Sequence, residues 1–307
     1  MTTFSGASPA SRRKMQPDLS GSALILANPT SGGYRPDVLD GVRTRLEDKG
    51  WQVEIRLTRH AGEIGEVCSD PKLPVKTVVI AGGDGSINEA LTGFQNHPAP
   101  PQLAVIPFGT ANVLALELGL PRKAAAIADM ISNQKIEQLH YGLANGRPFV
   151  LMASAGFDAE VVHAVPLALK RRLGKLAYVI TAFRTGLTRK GPTLKVCLDG
   201  VTATGKLAVA SNARHYGGPF TICPGGVTDA GLHMLVLEKD DPLSSLRFGL
   251  ALMSGRIHKA RGAFVKPFRT ATIEAESPVA AQVDGDPFGA TPLDIRQSDK
   301  TVPVLVP

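Results

Sequence analysis

Three times in the first half of the chain, an almost unbroken apolar run leads into a glycine-containing loop and then a helical pattern. Ala23-Leu24-Ile25-Leu26-Ala27 runs into Asn28-Pro29-Thr30-Ser31-Gly32-Gly33. Thr77-Val78-Val79-Ile80-Ala81 runs into Gly82-Gly83-Asp84-Gly85-Ser86, and Leu103-Ala104-Val105-Ile106-Pro107 into Phe108-Gly109-Thr110-Ala111-Asn112. Short runs without polar alternation predict strands covered on both faces of a parallel sheet, and strand, loop and helix in succession predict an α/β domain. Ser86 and Glu89 have capping-box spacing ahead of Ala90-Leu91 and Phe94. Thr110 or Asn112 is placed to cap a helix through Val113 to Leu118, which Gly119 and Pro121 end. Val38 to Leu46 reads as a helix, and the alternating Trp51 to Leu57 as a strand.

The pattern changes after about Gln138. Phe149 to Met152, Leu194 to Leu198, Lys206 to Ala210, Leu232 to Leu237 and Ala271 to Ala275 read as separate strands with glycine-rich turns between several of them, which predicts a β-sandwich. A helical stretch from Val161 to Thr188 interrupts it, and the last run, Val302 to Val306, is strand-like. The expected organisation is a polar, disordered arm over 1–20, an α/β domain over 21–140 to which 295–307 returns, and a β-sandwich over 141–294.

Composition adds limits. The chain has 307 residues, 43% hydrophobic and 20% charged, as in a folded globular protein. A net charge of +7 favours acidic partners such as phosphates, nucleic acid or an anionic membrane, and equally serves solubility alone. Cys68, Cys197 and Cys223 lie far apart with no CxxC pair, against a disulfide framework or structural zinc site and in favour of a reducing compartment. No stretch approaches the ~18 apolar residues of a membrane span, and Arg12-Arg13-Lys14 precedes no apolar run, so neither a span nor a secretory signal is expected.

Ligands of open α/β sheets bind at the carboxyl ends of the strands, where all three glycine loops fall. Glycine lets backbone approach a ligand, and helix N-termini offer N–H groups to an anion. The loops therefore read as a phosphate or nucleotide site, although each alone is also an ordinary tight turn. No GxxxxGK[ST] P-loop and no GxGxxG dinucleotide fingerprint occurs in these loops. Asp84, between Gly83 and Gly85, would repel phosphates unless a cation intervened, which points to Mg²⁺; the alternative is a turn aspartate bonded to its own backbone.

Asn28-Pro29-Thr30-Ser31-Gly32, Gly82-Gly83-Asp84-Gly85-Ser86-Ile87-Asn88-Glu89 and Pro107-Phe108-Gly109-Thr110-Ala111-Asn112 resemble the diacylglycerol kinase catalytic family, nearest its soluble bacterial lipid kinases, with sphingosine and ceramide kinases as relatives. The resemblance continues through Gly156-Phe157-Asp158-Ala159, Asn212 to Gly218 and Val283-Asp284-Gly285-Asp286. It implies an N-terminal α/β domain, a C-terminal β-sandwich, an active site in the cleft between them, and ATP and Mg²⁺ as cofactors. Carried over by motif, Asn28, Pro29, Thr30, Ser31 and Gly32 with Gly82, Gly83, Asp84, Gly85, Ser86, Asn88 and Glu89 surround the nucleotide, joined by Thr58, Gly109, Thr110 and Asn112. Asp286, where relatives carry Glu, is the candidate general base, with Asp284 assisting or binding metal. Asp-Gly is also the strongest hairpin-turn signal. At Thr228-Asp229-Ala230-Gly231, Ala230 stands where relatives have Asp, so a structural Mg²⁺ site there rests on Asp229.

The implied reaction is transfer of the γ-phosphate of ATP to a lipid alcohol, diacylglycerol by default. An NAD kinase-like enzyme and a non-catalytic lipid-binding relative are the alternatives. Lys170-Arg171-Arg172-Leu173-Gly174-Lys175, ahead of Leu176-Ala177-Tyr178-Val179-Ile180, reads as a contact for an anionic membrane or as a solvated basic face. The expected setting is cytoplasmic, peripheral at the inner membrane surface, with no nucleic-acid partner; homodimerisation stays open.

Overall fold

The computed structural model describes residues 21–156, Ala159 and 191–307. The arm over 1–20, the stretch from Val161 to Thr188 with its basic segment, and Phe157-Asp158 lie outside the described residues.

The first domain is built on a sheet ordered β2-β1-β3-β4-β20-β5. Its strands are β1 (Ser22–Ala27), β2 (Gln52–Leu57), β3 (Thr77–Gly82), β4 (Gln102–Pro107), β5 (Ile136–Leu139) and β20 (Val302–Leu305). The first four run parallel; β20 is parallel to β4 and antiparallel to β5. Every residue of β1 and β3 is buried, so both faces of the central sheet are covered. The helices are α1 (Pro36–Asp48), α2 (Glu63–Cys68), α3 (Asp84–Phe94), α4 (Val113–Glu117) and α5 (Ala124–Asn133). Proline in its first turn, Asp37 at its start and Arg45 at its end suit α1, which buries Leu39, Val42 and Leu46 on one stripe. Each such side chain contributes roughly 1.5–3 kcal/mol on full burial.

The second domain is a sandwich. One sheet is ordered β10-β9-β16-β19-β6-β7 and the other β15-β14-β11-β8-β17-β18. In chain order these are β6 (Gly142–Ala144), β7 (Arg147–Phe149), β8 (Met152–Gly156), β9 (Leu194–Leu198), β10 (Val201–Gly205), β11 (Leu207–Ser211), β14 (Leu232–Leu237), β15 (Ala263–Phe268), β16 (Thr270–Ala275), β17 (Ala280–Val283), β18 (Asp286–Ala290) and β19 (Leu293–Gln297). Alternate residues Leu194, Val196 and Leu198 of β9 join Ala208 and Ala210 of β11 and Met234 and Val236 of β14 in one core. A small hairpin, β12 (His215–Tyr216) and β13 (Phe220–Thr221), and a helix, α6 (Pro242–Met253), complete the described chain.

Three local expectations are corrected. Helix α3 begins at Asp84 with Gly83 as its cap residue and no side-chain cap, so Ser86 sits inside the first turn and forms no capping box. Asn112 occupies the cap position of α4 but in the left-handed region, and neither it nor Thr110 caps that helix. Phe149 to Met152 is not one strand: it divides between the end of β7 and the start of β8. The N–H groups of Val150, Leu151 and Met152 turn to the carboxylate of Asp284.

Candidate active site

The three glycine loops meet at the carboxyl ends of β1, β3 and β4 and are tied to one another through their backbones. The Asn28 N–H donates to Ala81 at 2.9 Å, Phe108 N–H to Gly82 at 2.9 Å, and Gly33 N–H to Phe108 at 2.7 Å. Within the first loop, Asn28 Oδ1 accepts from both the N–H and hydroxyl of Thr30, at 2.9 and 2.8 Å. Asn28 Nδ2 reaches Ser86 Oγ at 3.5 Å.

Gly83 and Gly109 face each other so closely that a Cβ on Gly109 would stand 2.5 Å from Gly83 Cα. A side chain at either position would force the second and third loops apart. Pro29, Thr30, Gly32, Gly85 and Thr110 form an exposed rim, whereas Gly82, Ser86, Asn88 and Asn112 are buried beneath it. With no side-chain cap on α3, its N-terminal amides suit a phosphate. Thr58 follows β2 at this same edge, its N–H bonded to Ala27 at 2.9 Å.

Asp84 spans two of the loops. Its Oδ2 accepts from Val113 N–H at 3.0 Å and its Oδ1 from Leu114 N–H at 3.1 Å, so a side chain on the second loop caps the helix that follows the third. Asn112, with φ 48°, donates from Nδ2 to Gly109 at 2.6 Å, and its buried Oδ1 has no hydrogen-bond partner among the described residues. Glu89 lies in the second turn of α3, where its charge helps burial push the Cys68 thiol up to about 12; this is the side of α3 that α2 covers.

The acidic motif of the second domain arrives on a hairpin. Val283 pairs with Asp286, leaving Asp284 and Gly285 as a two-residue turn at φ 50° and 86°, the geometry of a type I′ turn. The turn and the chemical motif are therefore the same feature. Asp286 Oδ2 lies 3.7 Å from where a Cβ on Gly85 would stand, so this carboxylate reaches the nucleotide-type loop across the domain boundary.

Asp284 is turned inward, and the residue is half-buried. It accepts from Val150, Leu151 and Met152 N–H at 2.8, 2.8 and 2.9 Å, and from Asn88 Nδ2 at 2.8 Å. Burial raises its pKa to about 6, while these donors pull the other way. Asn88 Nδ2 also donates to Pro148 O at 2.8 Å, so α3 is fastened to β7 and to the Asp286 hairpin at once. Asp284 and Asn88 thus hold the two halves of the site in register.

Two further ties carry no local sequence signal for this role. Asn212 Nδ2 donates to His140 O and Val150 O, both at 2.8 Å. Glu117, at the end of α4, accepts from His215 N–H and lies 2.6 Å from His215 Nδ1, joining the first domain to the β12–β13 hairpin.

Among the described residues, no group of three or more His, Cys, Asp or Glu side chains is arranged to hold an ion. Asp84 is engaged with α4, Asp284 with four donors, and Asp229 Oδ2 with Gly226 N–H at 2.8 Å in a local turn. These contacts do not form a protein-built Mg²⁺ cage. Among the described residues no helix is long and apolar enough to cross a membrane. A separate concavity of about 430 Å³ on the sheet of β9, β16 and β19, lined by Asn145, Cys197, Asp199 and Arg296 among others, contains none of these residues.

An α/β domain whose glycine loops meet an acidic hairpin from a β-sandwich is the architecture of a two-domain kinase. The chain belongs to the diacylglycerol kinase catalytic family: residues 22–144 match the diacylglycerol kinase catalytic domain, and residues 151–306 the YegS C-terminal NAD kinase beta sandwich-like domain. The diacylglycerol kinase of Bacillus subtilis (strain 168) is 27% identical over 292 residues, covering 93% of this chain and 96% of that protein. That of Staphylococcus haemolyticus (strain JCSC1435) is 26% identical over 294 residues, covering 93% and 88%. A crystal structure of a diacylglycerol kinase from Bacillus anthracis str. Sterne has a TM-score of 0.71 at 18% identity, covering 94% of this chain and 97% of that one. A second structure from that organism reaches 0.79 at 23%, covering 94% and 95%.

Proposed function

We propose that this protein is an ATP-dependent lipid kinase that transfers the γ-phosphate of Mg²⁺-bound ATP to a hydroxyl of diacylglycerol. The observation that carries the reading is the approach of Asp286 Oδ2 to Gly85, which brings one carboxylate of the sandwich to the loop that would hold the transferred phosphate. Backbone amides of the loops, with Asn28 to Gly32, Thr58, Gly82 to Ser86, Gly109 and Thr110, bind the nucleotide. Mg²⁺ enters on the phosphates as part of the substrate.

Asp286 accepts the proton of the lipid hydroxyl as its oxygen attacks the γ-phosphorus; the new O–P bond forms as the bond to the bridging oxygen breaks and ADP leaves. Asp84 and Asp284 position the loops and the hairpin. The enzyme works from the cytoplasmic side as a peripheral protein.

The test is incubation of the purified protein with γ-labelled ATP, Mg²⁺ and separate dispersions of diacylglycerol, monoacylglycerol, ceramide, sphingoid base and, in solution, NAD. Label on diacylglycerol is the expected result. Label on NAD alone would replace the reading by an NAD kinase. No transfer to any acceptor would leave a non-catalytic relative.

A further inference from the structure

Helix α6 wears its apolar side outward. Leu243, Leu246, Leu250 and Met253 are 75%, 61%, 59% and 73% exposed. At about 100° per residue they fall within an arc of roughly 80°, one continuous stripe. Ser244 and Phe248, on the other side, are buried, and Arg247 stacks over Phe248 at 5.1 Å. The helix is therefore firmly placed: Asp241 caps it through Ser244 N–H at 3.0 Å, and its inner face is already packed. Scattered exposed leucines need no explanation, but four large apolar side chains in one row on an ordered helix do. Phe220, 37% exposed, sits on the β13 strand that packs against the same helix.

The charge at the C-terminal end of the stripe is positive, whereas Asp240 and Asp241 stand at its N-terminal end. From Pro242 to Gly262 the chain holds Arg247, Arg256, Lys259 and Arg261 and no Asp or Glu. Arg256, Lys259 and Arg261 are exposed just beyond the helix end, where buried Ile257 anchors a short 3-10 turn. An apolar row bordered by cations fits a helix lying in the interface of an anionic bilayer.

We infer that the outward face of α6, with Arg256, Lys259 and Arg261, is the surface by which this protein docks on anionic membranes. The choice of a bilayer as occupant rests on the lipid-kinase reading; the location rests on the helix itself.

Sedimentation with phosphatidylcholine vesicles, with and without phosphatidylglycerol, tests it. Wild type should bind the anionic vesicles, and less so as salt rises. Leu246→Ser/Leu250→Ser/Met253→Ser should weaken binding at least about tenfold, given the apolar area removed. Its melting temperature should stay or rise, and transfer to dispersed short-chain diacylglycerol should stay within about twofold, because no catalytic contact is touched. Arg256→Gln/Lys259→Gln/Arg261→Gln should weaken binding and flatten its salt dependence. Unchanged vesicle binding by the leucine variant overturns the inference, as does a fall of several degrees in melting temperature, which would mean that the chain itself covers the stripe. A wild-type dimer that the variant dissociates, with vesicle binding intact, assigns the face to a second copy instead. Stripe-dependent vesicle binding by a protein that phosphorylates no lipid would keep the surface and remove the kinase reading.

Discussion

Asp84 and Asp284 both use their carboxylates to hold backbone, and each use has a measurable consequence. Asp84 accepts from two amides at the start of α4. In Asp84→Asn one oxygen remains and an NH2 faces the other amide, so the variant should lose about 1–2 kcal/mol of stability and bind ATP less well. Excess Mg²⁺ should not restore activity; rescue by Mg²⁺ in a titration would return Asp84 to the metal role its sequence context suggests.

Asp284 links the stability of the fold to pH. Its folded pKa, about 6, lies above the roughly 3.9 of an exposed aspartate. Between those values the folded protein holds a proton that the unfolded chain has lost, so this group's contribution to stability grows as pH falls from about 6 to 4. The stability gap between wild type and Asp284→Asn should therefore widen on acidification, by up to ~3 kcal/mol, because other groups cancel in the difference. Denaturant melts of both proteins at pH 7 and pH 4 measure it. A gap that narrows would mean that the four donors outweigh burial.

Among the elements, the strands and glycine loops were legible because buried parallel strands need unbroken apolar runs, and such runs are visible one at a time. The caps were not. The acceptor for the α4 amides lies 29 residues upstream of Val113, and the acceptor that splits Val150 from its strand pattern lies 134 residues downstream, beyond any local rule. The contact between Gly83 and Gly109 is equally nonlocal, since nothing in either loop announces that two backbones touch. Gly109→Ala places a Cβ against the Gly83 backbone, which has no flexible end to yield. It should cost roughly 1–3 kcal/mol and lower ATP affinity markedly. Thermal melts and nucleotide titration check both, and wild-type values would mean that the loops do not pack in this way.

At the scale of the whole molecule, the strand-rich second half predicted a sandwich, and β20 lies in the first sheet beside β4 because its apolar run finds both faces covered there. How the halves meet was hidden: Asn88 and Asp284 are 196 residues apart and read separately, Asn88 as a nucleotide-binding residue and Asp284 as a turn residue that assists the base or binds metal. The outward stripe of α6 was hidden for the opposite reason, since one apolar helix face looks the same in sequence whether it points in or out. The proposed reaction rests on Asp286 acting across the boundary that Asn88 and Asp284 hold closed. Its most direct test is the single-turnover rate of phosphate transfer to diacylglycerol by wild type and Asp286→Asn, with ATP affinity measured alongside. The prediction is a rate lower by about 10²–10⁴-fold, the span of general-base catalysis, at nearly unchanged ATP affinity. A wild-type rate in Asp286→Asn would contradict it.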